Sequence, residues 1–454
     1  MTKTNNIRLI CFDLLFRIMS KKSYPDLVIN QYFSKNKHIN EDEIKLITEI
    51  VYGTIRWKEK LKYCLNLFLS HEIKNKKVEL ILLIGIYQIL HLNSIPDYAA
   101  INETVDLAGI KFDKKIKNLV NALLRQISRN KESLDFPEQK TDTSRFMSVN
   151  YSYPQWLIDK WIKSYGNKAT KNMCISLNEH SRATIRVNQN LIDRDTMIEL
   201  IGSDCKPEKT KYSNVGIHID NQYKIINSYL YKDGYFSIQD ESSQIVSIIL
   251  NPKPGQTVLD ACGAPGTKTN HIAELMKNKG RIISCDINNK RLRLVNNDTK
   301  RLGNTIVQTI NADAKDLTFN YKIKFDKILV DAPCSGLGTI KKNPDLKWNK
   351  NIDDINNLSS IQIDILNNVS RFVKTGGILV YSVCTLMKEE NEQVCEEFLN
   401  TNKNFDIDNN LSTESEKINR LLDRNGYFSS LKYLDQMDGF FIARFRKIKD
   451  EQKQ

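Results

Sequence analysis

An all-α N-terminal region followed by a doubly wound α/β domain is the fold this sequence predicts, and three observations predict it. Apolar residues recur at helical spacing through the first 130 residues, with no strand-like alternation. From Pro254 onward, short apolar runs alternate with helical stretches, the pattern of βαβ units in a mostly parallel sheet. Between these two regimes the pattern is mixed. The division expected is a helical domain at 1–130, a small α/β module at 145–250 and a Rossmann-like doubly wound domain at 251–447.

In the helical part, Ile44, Ile47, Val51 and Ile55 share one helix face, as do Leu119, Leu123 and Ile127. Leu80 to Leu92 is the most apolar run. It is too short to span a bilayer and is interrupted by Gly85, Gln88 and His91, so it reads as a buried helix that ends before Pro96. Asn130 to Ser144 is polar, charged and broken by Pro137, which marks a linker. In the mixed part, Trp156, Ile158 and Trp161 predict a helix, and Ala183–Asn188 and Tyr223–Ile226 predict short strands. In the last part, strands are expected at Thr257–Ala261, Arg281–Asp286, Thr305–Ile310, Lys327–Asp331, Ile378–Ser382 and Gly439–Phe445. Helical stretches such as Lys290–Leu302 and Asp353–Val373 fall between them.

The 454 residues carry a formal net charge of +13, and the first 150 hold 24 Lys/Arg against 17 Asp/Glu. A surplus spread in this way favours a polyanionic partner, nucleic acid before anionic membrane. The nine cysteines include no CxxC pair, and the opening Met1–Arg8 is polar, so reduced thiols in a cytoplasmic protein are expected. Six histidines form no HExxH or Cys/His cluster, and no metal site is expected.

In an open parallel sheet, ligands bind beyond the carboxyl ends of the strands. Behind the first expected strand lies Asp260-Ala-Cys-Gly-Ala-Pro-Gly-Thr-Lys268, a small-residue loop that feeds a helix. Gly263 and Gly266 permit tight turns and close approach of a ligand to the backbone. The Gly-to-Gly-Lys spacing is not that of a phosphate-binding Walker loop. Asp286 ends the second strand and suits a pair of ribose hydroxyls, and Asp313 follows the third, where a carboxylate receives an adenine amino group. One such aspartate is an ordinary loop residue or helix cap. Several at successive strand ends point to an adenosine ligand. The fourth strand runs into Asp331-Ala-Pro-Cys-Ser-Gly336 and the fifth into Tyr381-Ser-Val-Cys-Thr385. A lone cysteine in a strand is usually a small buried hydrophobe, but here Cys334 and Cys384 follow neighbouring strands over the same crevice.

The segments DACGAPGTKT, DAPCSGLGTIKKNPDLKW, YSVCTLMKEENEQV and DGFFIARF, together with Gly234–Ser243 and Arg186-Val-Asn188, resemble the NOP/Sun family of RNA cytosine-C5 methyltransferases. The likeness covers roughly the C-terminal two-thirds of the chain. The pieces Val51–Arg56, Gly85–Leu90, Ile95–Val105 and Val120–Arg125 resemble the NusB-like RNA-binding helical domain, which in the bacterial 16S rRNA enzymes of the family precedes the catalytic domain. The resemblance implies a class I S-adenosylmethionine-dependent methyltransferase whose cofactor lies on Cys262, Gly263, Ala264, Pro265, Gly266, Thr267, Lys268, Asp286, Asp313 and Asp331. It implies Cys384 as nucleophile and Cys334 as the thiol that assists product release, with Asp331 in the catalytic set. It implies cytosine 967 of 16S rRNA as the target. The residues alone do not rank the two thiols, because DNA cytosine methyltransferases use a Pro-Cys nucleophile. The family loop usually reads Ala-Ala-Pro-Gly-Gly-Lys, and this chain departs from it at Gly263 and Thr267.

The chemistry explains why thiols are wanted. C5 of cytosine is too weak a nucleophile to attack a methyl sulfonium, and a thiolate that adds to C6 makes the ring enamine-like. Such a thiol needs surroundings that favour its thiolate. Two rival readings remain at this stage. One is a related enzyme acting on tRNA, on another rRNA site or on DNA. The other is an RNA-binding assembly or antitermination factor with an idle catalytic domain, which a broken thiol motif would favour; both motifs are intact.

Overall fold

The computed structural model describes residues 6–21, 23–319, 323–409, 416–434 and 436–449. The chain forms two compact units, one of residues 1–178 with 342–349, the other of residues 179–341 with 350–454.

The first unit is helical. Its helices are Ile7–Lys21, Pro25–Lys35, Glu41–Arg56, Lys58–Asn66, Lys76–His91, Asp97–Lys111, Lys114–Asn130, Thr143–Tyr151 and Gln155–Ser176. Local chemistry sets several starts. Asn40 and Glu43 form a reciprocal capping box, and Asn75, Asp113 and Asp142 each accept a first-turn amide. Lys76–His91 is the expected buried helix, with Val78 and every residue from Leu80 to Ile89 out of solvent. Its one interior amide, Gln88, accepts from Arg8 Nε at 3.0 Å and donates to Ile84 O at 3.0 Å, so its burial leaves these polar groups paired. The helix Lys114–Asn130 corrects one expectation. Leu119 is 39% exposed, and the buried stripe is Val120, Leu123, Leu124 and Ile127. The outer face of this helix carries Lys115, Arg125 and Arg129. No helix among the described residues is long and apolar enough to cross a membrane.

A short segment of much later sequence completes this unit. Trp348 donates its indole N–H to Ile55 O at 2.7 Å. Lys347 is wholly buried, its ammonium 4.0 Å from the centre of the Tyr153 ring and 3.4 Å from Asn178 Oδ1. That burial holds its pKa well below the usual lysine range.

The second unit contains two sheets. The smaller has the strands β1 (Ala183–Val187), β2 (Glu208–Lys209), β3 (Gly216–Ile219) and β4 (Phe236–Ile238), in the order β2-β3-β1-β4 and antiparallel throughout. The strand expected at Tyr223–Ile226 is instead a turn of helix, Gln222–Ile226. Asn221 accepts the amide of Lys224 and so caps a helical turn, and this local bond outweighs the β preference of Tyr and Ile.

The larger sheet has β5 (Thr257–Asp260), β6 (Arg281–Asp286), β7 (Val307–Asn311), β8 (Phe325–Asp331), β9 (Val373–Val383), β10 (Phe405–Ile407), β11 (Phe428–Ser429) and β12 (Phe441–Lys447). Its order is β10-β12-β9-β8-β5-β6-β7, with β11 paired to β12. The pairs among β5 to β9 are parallel, and β12 joins β9 antiparallel. The strands are apolar on both faces because both faces are covered. Leu259, Ile283, Ile328 and Leu379 enter one core, whereas Val258, Ile282, Leu329 and Val380 enter the other. The chain winds outward from β5 through β6 to β7, then returns to lay β8 on the opposite side of β5. The crevice of the fold therefore opens past the ends of β5 and β8.

Candidate active site at the strand ends

Residues 261–266 leave β5 and enter the helix Thr267–Leu275. The turn is pinned to the neighbouring strand. Gly263 N donates to Cys285 O at 2.7 Å, and Ala264 N lies 3.3 Å from Asp286 Oδ2. Arg291 closes the loop from above, donating to Ala264 O at 2.6 Å. A Cβ on Gly263 would fall 2.1 Å from Ser284 Oγ, and Gly266 has φ +110° with a Cβ position 3.0 Å from Val295 Cα. Both glycines are therefore dictated by close approach and, at Gly266, by a left-handed backbone. Gly263 and Ser284 compensate each other: the serine hydroxyl fills the space that an alanine methyl would take. The Cβ of Thr267 meets no backbone penalty, because this residue lies in the first helical turn and has no positive φ.

Beneath the loop, Thr269 donates to Asp260 Oδ2 at 2.6 Å and lies 3.1 Å from Ser284 Oγ. Asp260 is fully buried and its second oxygen has no partner. Burial pushes its carboxyl up to about 7, opposed by the Thr269 bond.

The strand-end aspartates follow in order. Asp286 ends β6, 6% exposed, and accepts from Asn288 N at 2.8 Å. Asp313 lies just past β7, caps its own turn by accepting from Lys315 N at 2.9 Å, and keeps a half-buried side chain. Asp331 ends β8 and is held at both oxygens, by Lys268 Nζ at 2.7 Å and Ser382 Oγ at 2.7 Å. The Lys268 ammonium is buried. Burial opposes its charge, but Asp331, with help from Cys384 and Asp260, raises its pKa above the usual lysine value.

The two thiols meet. β8 and β9 pair in parallel with Asp331 opposite Ser382, so the loops that follow them emerge side by side. Cys334 Sγ lies 3.3 Å from Cys384 Sγ. The hydrogen bond to Cys384, then burial, then the nearby negative charges of Glu390 and Asp331 push the Cys334 thiol well above the ordinary cysteine range. That shift disfavours the Cys334 thiolate.

Three residues given no role by the sequence complete the site: Glu390, Gln362 and Arg186. Glu390 and Gln362 are fully buried behind the cysteine loops. Arg186 reaches from β1 to donate to Thr267 O at 2.8 Å. Glu390 sits in Lys-Glu-Glu-Asn-Glu, which reads as a solvated charge run. The only clue to it was its presence within the motif carried by the family resemblance.

This sheet order, with small-residue loop, aspartates and thiols gathered past the strand ends, is the class I methyltransferase fold. Residues 247–446 match the family described as 16S rRNA methyltransferase RsmB/F. Residues 5–129 match the NusB family, and residues 153–226 the RsmF/B-like ferredoxin-like domain. The chain is 36% identical over 449 residues to the probable ribosomal RNA small subunit methyltransferase B of Bacillus subtilis, covering 98% of this chain and 99% of that one. The corresponding protein of Synechocystis is 30% identical over 97% of this chain and 99% of its own. A solved structure described as PH0851 superposes with a TM-score of 0.81 at 27% identity, covering 97% of this chain and 98% of that one. NSun6 from Pyrococcus horikoshii with SFG gives 0.57 at 25% identity, covering 66% and 100%. The chain belongs to the RsmB/F family of rRNA methyltransferases.

Proposed function

We propose that this protein transfers a methyl group from S-adenosylmethionine to C5 of cytosine 967 in 16S rRNA, through a covalent bond between Cys384 and C6 of the base. The observation that carries the reading is the thiol pair, 3.3 Å apart beside a doubly anchored Asp331. A reaction that needs two thiols on one base accounts for such a pair past the ends of two neighbouring parallel strands.

The residues present fit the cofactor. Gly263 and Gly266 let the loop pack tightly on Ser284 and Val295, and the helix behind them starts without a side-chain cap. Its free first-turn amides suit a carboxylate. Cys262 to Lys268 would hold the methionine part, Asp286 the ribose hydroxyls, Asp313 the adenine amino group and Asp331 the end nearest the thiols. When bound, S-adenosylmethionine supplies the electrophilic methyl. The Cys384 thiolate forms a bond to C6, and the C5–C6 electron pair moves into the ring. C5 then takes the methyl group. With Cys334 assisting, a base removes the C5 proton, the C5–H pair restores the C5–C6 double bond, and the bond from C6 to Cys384 Sγ breaks with its pair leaving on the Cys384 sulfur. The family resemblance and the contact between the two sulfurs support this division of labour.

The helical domain at 1–130 would bind RNA, the module at 145–250 would connect, and the domain at 251–447 would catalyse. The exposed Lys115, Arg125 and Arg129 on one helix face and the net charge of +13 support RNA phosphate contact in the cytoplasm. Target bases in RNA are reached in loops or by extrusion from a stem. The test is bisulfite sequencing of protein-free 16S rRNA incubated with the protein and S-adenosylmethionine. One protected cytosine, at position 967, is expected. Protection elsewhere, or none, refutes the assignment.

The cofactor assignment has its own test. Loss of a carboxylate bonded to a ligand costs ~1.5–3 kcal/mol. Asp286→Ala is therefore expected to weaken S-adenosylmethionine binding by roughly ten- to a hundred-fold. Calorimetry that finds unchanged affinity rejects Asp286 as the ribose ligand.

A further inference from the structure

Two loops that carry reactive thiols have no intrinsic reason to hold them in contact. Each enters from a different strand, and the backbone bonds between them, Ala332 N to Ser382 O and Gly338 N to Cys384 O, fix only their stems. The residue after each cysteine turns away from the thiols and meets the same carboxylate. Ser335 donates to Glu390 through its amide, at 2.8 Å to Oε1, and through its hydroxyl to Oε2. Thr385 Oγ1 donates to Oε2 at 2.9 Å, and the two hydroxyls are 2.7 Å from each other. Gln362 Nε2 donates to Oε1 at 3.1 Å and to Pro333 O at 2.9 Å, just before Cys334. Tyr381 OH fixes this arrangement from the strand, at 3.0 Å from Gln362 Oε1 and 2.6 Å from Glu390 O.

We infer that Glu390 is a positioning residue that brackets the two thiol loops and sets the distance between Cys334 and Cys384. Its carboxylate is 0% exposed and accepts four hydrogen bonds from three residues. A fully buried carboxylate is tolerated only when its lone pairs are filled in this way. An acceptor-only group is required, because glutamine would turn an N–H₂ toward donors that already point inward. Rigid packing of this kind is what holds reacting atoms within the narrow geometry a covalent step demands. The inference rests on the reading that both thiols serve one base.

The test uses the full-length protein and two readouts. Phenylarsine oxide condenses with two thiols, releasing water, only where both sulfurs reach one arsenic, so it reads the pair without any reaction on RNA. Single-turnover methylation of 16S rRNA reads the catalytic consequence. Wild type should capture the arsenical, and Cys334→Ala should not. Glu390→Gln should lose that capture and methylate about 100-fold more slowly, the cost of roughly 1 Å of misplacement, with KM for RNA little changed. Thr385→Val should behave like Glu390→Gln, and Thr385→Ser, which keeps the hydroxyl, should behave like wild type. If Glu390→Gln fails to fold, the two Thr385 variants decide the question. Wild-type arsenical capture and rate in Glu390→Gln and Thr385→Val, with only a lower melting temperature, would reduce Glu390 to a packing residue. If wild type methylates no cytosine, the functional reading falls, while loss of capture in Glu390→Gln still supports the bracket.

Discussion

Cys384→Ala is expected to abolish turnover and to form no covalent enzyme–RNA complex, whereas Cys334→Ala is expected to lose turnover and accumulate one. The two thiols have different parts in the proposed mechanism. Cys334 Sγ lies 3.3 Å from Cys384 Sγ, so both sulfurs reach one base, and the hydrogen bond between them, with burial and nearby negative charge, raises the Cys334 pKa. The proposed mechanism gives attack on C6 to Cys384, and the raised pKa of Cys334 disfavours its thiolate. Without Cys384 there is no bond to C6 and C5 stays inert. Without Cys334, attack and methyl transfer still proceed, but the step that clears the C5 proton and frees Cys384 is impaired. On a denaturing gel, only Cys334→Ala should give a shifted protein–RNA band, and that band should require S-adenosylmethionine. A band in Cys384→Ala and none in Cys334→Ala would make Cys334 the nucleophile. An active alanine variant of either would show that its thiol merely packs.

The parts of this molecule legible in the sequence are those where one local rule dominates. Arg281–Asp286 is a strand with the bounds expected for it, because a short apolar run between Gly280 and the polar turn after Asp286 is too brief for a helix. The rule that ligands gather past parallel strand ends brought Asp286, Asp313, Asp331, Cys334 and Cys384 forward, and each does lie at or just past its strand. The illegible parts depend on partners distant in the chain. Tyr223–Ile226 has strand composition but takes the helical turn that Asn221 caps. Leu119 has the spacing of a core residue but lies one position off the buried stripe. Nothing in Lys342–Asn349 announces that it completes the helical unit, where Trp348 bonds Ile55. Glu390 could not be found by composition, since an acid in a charged run is normally solvated. Its burial follows only from donors 55, 28 and five residues away.

Arg186→Met is expected to produce the largest loss of stability of any single change considered, about 3–5 kcal/mol, the cost of breaking a buried ion pair. Arg186 is 0% exposed and reaches from the small sheet to the helix behind the glycine loop. Its Nε and Nη2 bind the two oxygens of Glu274 at 3.0 and 2.7 Å, and Nη1 donates to Gln239 and to Thr267 O. Burial already holds the Glu274 carboxyl above the ordinary range despite Arg186. With the guanidinium gone, that pKa must rise further. A carboxyl whose pKa rises on folding contributes stability below its unfolded value, and this is lost as pH climbs through the folded value. The deficit of Arg186→Met in urea unfolding should therefore be smaller at pH 5 than at pH 8. Adding Glu274→Leu should recover most of the stability, because the stranded charge rather than the lost contact carries the cost. It should not recover cofactor affinity. Thr267 O, at the start of the helix that frames the loop, would still lack its donor. Calorimetry should therefore find S-adenosylmethionine bound more weakly by the double variant than by wild type, at equal stability. A cost under about 1 kcal/mol for Arg186→Met, the range of an exposed pair, would refute the argument. So would a double variant with wild-type cofactor affinity, which would reduce the Arg186 bond to Thr267 to packing alone.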